Sequence, residues 1–98
     1  MNPDQQRKHA HNDINRADLA RQVTESQVYR EALNLMKADL YTKFGRTKHD
    51  DTEIREEMWR EFQVVEKFEQ HFEDLMVNGR IAQQTLTMLE RAKKVVGL

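Results

Sequence analysis

"DLMVNGRIAQQTL", residues 74–86, decides how this chain folds. Asn-Gly is a common helix terminus or turn. If Asn78–Gly79 ends a helix, the chain turns back and makes a compact bundle. If the helix runs through, one arm outgrows the rest of the molecule. The flanking register favours continuity. Ile54, Met58, Val65, Phe68, Phe72 and Leu75 recur at steps of three and four, broken only at Glu61, where Phe62 fills the gap. Past Gly79 the same register lands on Ala82, Leu86 and Leu89, then Lys93 and Val96, without a skip. A sustained heptad is the mark of a continuous or gently kinked helix. One interior glycine costs about 1 kcal/mol relative to alanine, which long-range packing overrides. A stop at Gly79 with a third helix restarting near residue 80 is the competing reading.

Outward from this arm, Val28, Tyr29, Ala32, Leu33, Met36, Leu40 and Phe44 make one apolar helical face. Thr24 with Gln27, or Ser26, supplies an N-cap, and Gly45 supplies a stop. "GRTKHDD", residues 45–51, is a short polar connection, and Asp50 with Glu53 has the spacing of the next helix start. Connections this short join antiparallel neighbours. The predicted fold is therefore all-α: an antiparallel, coiled-coil-like helical hairpin, residues 26–44 against a long second arm, 51–78 continuing or restarting at 80–95. Residues 12–23, with Ile14, Leu19 and Val23, form a weaker helical segment. Residues 1–11 are polar and contain Pro3, and read as a mobile tail. Residues 12–98 then make a single helical domain.

Composition narrows the function. The chain has 98 residues, 38% hydrophobic and 34% charged, with no cysteine. Disulfides, thiolate zinc sites and cysteine nucleophiles are excluded. No run of about 18 apolar residues exists for a membrane span, and the start lacks the apolar core of a signal peptide, so neither secretion nor a membrane is expected. The net charge of −1 is unevenly spread: residues 50–78 carry −7, residues 24–49 carry +2 and residues 79–98 carry +3. Such a belt with basic flanks suits charge-matched packing between segments or subunits.

Catalytic and ligand motifs are weak. His9 and His11 form an H-x-H pair in the polar segment, without the rigid further ligands a metal needs. His71 has Asp74 three residues on, but the Glu-x-x-His of helical di-metal sites occurs nowhere. Glu53, Glu56, Glu57, Glu61, Glu66, Glu69, Glu73 and Asp74 are spread around a helix and interleaved with Arg55, Arg60 and Lys67, as a solvated face is. No phosphate loop or nucleophile elbow stands out. An enzyme, a metal, a cofactor and a small-molecule substrate are not expected. Trp59, the sole tryptophan, reads as core beneath helix 26–44. The alternative is a binding hot spot with Arg55 stacked on its ring. Lys43, Arg46 and Lys48 near the hairpin tip, with Arg91, Lys93 and Lys94 at the chain's end, are candidate nucleic-acid contacts. Basic residues also favour helix C-termini through the dipole.

A continuous arm from about residue 51 to 94 would be roughly 65 Å long, against about 28 Å for helix 26–44. Its far half then presents uncovered apolar side chains. Val65, Phe68, Phe72, Leu75, Met76, Ala82, Leu86 and Leu89 are the predicted self-association or partner surface.

"SQVYREALNLMKADLYTKF" and "DDTEIREEMWREFQVVEKFEQHFEDLMVNGRIAQQTL" carry a helix, a polar loop, a T-x-x-R-E-x-x-W pattern and a later N-G-R-I-A. Over residues 26–86 the chain resembles small all-helical proteins encoded in the head-morphogenesis and packaging clusters of tailed bacteriophages, whose roles are mostly unassigned. The resemblance implies a phage or prophage protein in the host cytoplasm or virion, and no catalytic residue carries over. The expected function is a non-enzymatic, homo-oligomeric phage structural or assembly protein, acting on copies of itself or other phage structural proteins. A small DNA-binding packaging or regulatory protein is the alternative. An inhibitor of a host protein, with the acidic belt mimicking a polyanion, is the third.

Overall fold

The computed structural model describes residues 1–95; Val96, the last position of the predicted register, lies outside the described residues. The protein is all-α: α1 spans Pro3–Glu25, α2 spans Gln27–Gly45 and α3 spans Thr52–Val95. The second arm is thus one helix, and Asn78–Gly79 does not end it.

Local chemistry accounts for the helix boundaries. Residues 3–11 are not a mobile tail but the first turns of α1. Asn2 and Gln5 cap the start reciprocally: the Gln5 backbone N–H donates to Asn2 Oδ1 at 2.8 Å, and the Asn2 N–H donates to Gln5 Oε1 at 3.1 Å. Pro3 then occupies the first helical position, where its fixed φ and missing N–H cost nothing. Ser26 alone separates α1 from α2. Its backbone is extended, and its hydroxyl accepts from the Tyr29 N–H at 3.2 Å, as an N-cap does. α2 stops at Gly45, but no left-handed glycine closes it. The Arg46 and Thr47 N–H groups donate to the Lys43 and Phe44 carbonyls, and the Thr47 hydroxyl also donates to Phe44 O at 2.6 Å. The final arm begins with the Arg55 N–H donating to Asp51 O, one residue later than Asp50 and Glu53 predict.

The chain divides into two compact units. One unit holds α2 and the first part of α3, within residues 24–71. Here the helices are antiparallel: Tyr29 meets Phe68, Tyr41 meets Phe62 and Phe44 meets Arg55. Leu33, Leu40 and Val65 form the buried cluster, with Tyr29 and Phe62 packed against it. Phe62 therefore fills the gap that Glu61 leaves in the heptad. Val28, Ala32 and Met36, predicted on the same face, are exposed.

The other unit holds, among the described residues, 1–23 and 72–95, and it packs differently. The buried positions described there are Ala10, Ala17, Ala20, Gly79 and Ala82, all small. A Cβ built on Gly79 would meet the Cβ of Ala17 far inside van der Waals contact, with Asp13 O at 3.5 Å and Ala17 Cα at 3.7 Å. Gly79 is thus a point of close approach between α1 and α3, and glycine is what the approach requires. Phe72, Leu75, Leu86 and Leu89, on the same face of α3, are half-buried around it.

Alanine gains about 1 kcal/mol over glycine inside an unobstructed helix, whereas overpacking a tight contact costs about 1–3 kcal/mol. Gly79→Ala is therefore expected to lower the denaturation midpoint, followed by circular dichroism. Adding Ala17→Gly should recover more stability than the two single effects predict. A raised midpoint for Gly79→Ala alone would show that no helix lies against residue 79.

Candidate functional site

The predicted association stripe is largely covered from within the chain. Val65 belongs to the buried α2–α3 cluster. Phe68 lies beside Tyr29, ring centroids 6.3 Å apart, and keeps half its surface exposed. Phe72, Leu75, Met76, Leu86 and Leu89 are half-buried and Ala82 is buried, in the unit that α1 completes. The close contact is with Asp13 and Ala17 at Gly79, within the weaker helical segment 12–23, and α1 extends beyond that segment to Pro3, with Ala10 also buried.

Trp59 and Arg55 do not form the predicted pair. Trp59 is 62% exposed rather than part of the core. Arg55 is half-buried, its guanidinium 5.0 Å from the centroid of the Phe44 ring, and its Nε donates to Thr47 Oγ1 at 2.9 Å. Arg55 thus fastens the connection between α2 and α3.

The two sides of the α2–α3 hairpin are unlike. At 100° per residue, Lys37, Tyr41 and Phe44 fall on one flank of the Leu33–Leu40 line, and Met36, Asp39 and Lys43 on the other. The first flank is fastened. Lys37 Nζ lies 2.7 Å from Glu69 Oε1, Tyr41 packs on Phe62 with centroids 5.0 Å apart, and Arg55 covers Phe44. On the second flank a groove opens between the helices. Leu40 and Val65 form its floor, Met36 and Val64 its exposed walls, and Asp39, Lys43, Glu57, Arg60 and Glu61 its rim. Lys43 Nζ sits 2.9 Å from Asp39 Oδ2 in an exposed pair. That hydrogen bond raises the Lys43 pKa above its ordinary value, and Glu61 adds to the effect. Burial raises the Tyr29 hydroxyl, with Glu69 reinforcing the shift and Lys37 opposing it.

The remaining candidates are dispersed. Arg46 is the C-cap of α2, and the Lys48 backbone N–H donates to Asp51 Oδ2 at 2.7 Å. Arg91, Lys93 and Lys94 lie exposed in the last turns of α3, in the other unit. His9 Nε2 lies 3.4 Å from Asp13 Oδ2. No group of three or more metal-ligand side chains gathers among the described residues. No helix among them is long and apolar enough to cross a membrane. The chain matches no known family, no curated protein and no solved structure.

A cation over an aromatic face contributes about 0.5–1 kcal/mol and a hydrogen bond about 0.5–1.5 kcal/mol. Arg55→Ala should therefore cost about 1–2 kcal/mol in urea denaturation. Trp59→Ala, at an exposed position, should cost about 0.5 kcal/mol or less. The reverse ranking would place Trp59 in the core and detach Arg55 from Phe44.

Proposed function

We propose that this protein is a non-enzymatic, homo-oligomeric assembly factor that works by helix-on-helix association. The observation behind this reading is the apolar surface of the two-helix unit. Val28, Leu35, Met36, Ile54, Trp59 and Val64 are each more than half exposed there. Two helices bury one stripe between them and leave their outer flanks to water. Burying a large apolar side chain stabilises by about 1.5–3 kcal/mol, so a partner helix that covered even part of this set would be held by it. The resemblance of residues 26–86 to bacteriophage head-morphogenesis proteins supports a role in phage structure or assembly, with further copies of the chain or other phage structural proteins as partners. The uneven charge, acidic over 50–78 and basic on both flanks, suits pairing between copies whose opposite segments meet.

Sedimentation equilibrium over a wide concentration range tests this. A mass above that of the 11.7 kDa chain, rising to a defined multiple, is the expected result. A strict monomer at the highest concentrations would remove the reading.

A further inference from the structure

Resting on that reading, we infer that the open groove between α2 and α3 is where a second copy of this chain docks, groove against groove. Three features of the groove select this occupant. The first is its asymmetry. The opposite flank of the same hairpin is fastened by Lys37 with Glu69, Tyr41 with Phe62 and Arg55 over Phe44, so pairs between α2 and α3 tie that side together, although Tyr41 stays exposed there. The second is the apolar strip along the groove, Met36 and Val64, 54% and 66% exposed. Helices add to such a seam by seating apolar side chains between ridges.

The third feature is charge. A two-fold contact brings the same patch together from both copies, so the patch must complement itself. This rim does. Lys43 and Arg60 are basic, while Asp39, Glu57 and Glu61 are acidic. A two-fold axis through the groove can set the bases of one copy against the acids of the other, twice over. An all-acidic or all-basic partner would meet repulsion from part of this rim, its three acids in the case of a polyanion such as DNA, which disfavours DNA at this place. The Asp39–Lys43 pair does not obstruct the exchange. It is exposed at both ends, and exposed pairs re-partner at little cost.

The test uses the full chain with charges reversed at exposed rim positions. Lys43→Glu with Arg60→Glu makes the rim wholly acidic, and Glu57→Lys with Glu61→Lys makes its facing half basic. Each double variant alone should self-associate roughly tenfold more weakly or worse than the unmodified chain. An equimolar mixture of the two should recover association as a mixed pair, read by sedimentation or by native mass spectrometry. Helical content by circular dichroism confirms that each variant is folded. Val64→Gln, which leaves the charges alone, should also weaken association. Variants that assemble like the unmodified chain would overturn the groove as the interface while leaving the oligomer in place. Weakened variants whose mixture gains nothing would overturn it too. An unmodified chain that never associates would overturn both the groove and the proposed function.

Discussion

The closeness of α1 to α3 at Gly79 governs much of this structure. A side chain at residue 79 would occupy the volume of the Ala17 methyl group, so the two helices touch almost backbone to backbone. Such closeness needs small residues on both sides, and the chain supplies them: Ala10, Ala17 and Ala20 on α1, Gly79 and Ala82 on α3. Glycine weakens a helix locally by about 0.5–1 kcal/mol relative to alanine. The compensation is dispersion contact between closely packed backbones and the partial covering of Phe72, Leu75, Leu86 and Leu89. Continuity of α3 and docking of α1 are therefore one phenomenon. The glycine that looks like a break is the surface on which α1 rests.

The two compact units solve the burial problem in different ways. In the α1 unit, small side chains bring helices close, and large ones fill in around them. In the α2–α3 unit, Leu33, Leu40 and Val65 make a conventional apolar cluster, with aromatic rings at its margins. The small-residue solution leaves a sequence segment that is polar in composition yet ordered. The large-residue solution leaves apolar flanks in water, and one of those flanks is an open groove. The proposed association is placed on the hairpin, because α1 already occupies much of the C-terminal stripe.

How much of this is legible in the sequence depends on how each contact is encoded. Periodicity carried the long arm correctly from Ile54 to Leu89, because a heptad of large residues survives one glycine. The all-α class, the hairpin and the stop at Gly45 are also legible. Helix α1 is only partly legible from hydrophobicity: Ile14, Leu19 and Val23 mark residues 12–23, but residues 3–11 carry no large apolar side chain and the buried positions are alanines. A local signal does exist there. Asn2, Pro3 and Gln5 are an N-cap, a first-turn proline and a reciprocal cap, and a proline near a terminus is easily taken for disorder. The stacking of Arg55 on Trp59 is not observed, for another reason. A one-turn spacing shows that two side chains can meet, but Phe44 and Thr47, brought in by the turn, compete for the same guanidinium. Which flank of the hairpin is fastened and which is open depends on tertiary pairs such as Lys37 with Glu69, and no periodicity in one helix encodes those.

The most direct test of the central contact is a nuclear Overhauser measurement between the Ala17 methyl protons and the Gly79 α protons in the full chain. The account predicts a strong cross-peak, accompanied by helical connectivities running without interruption from Met76 to Gln83. Absence of that cross-peak, or a break in the connectivities at Asn78–Gly79, would contradict it.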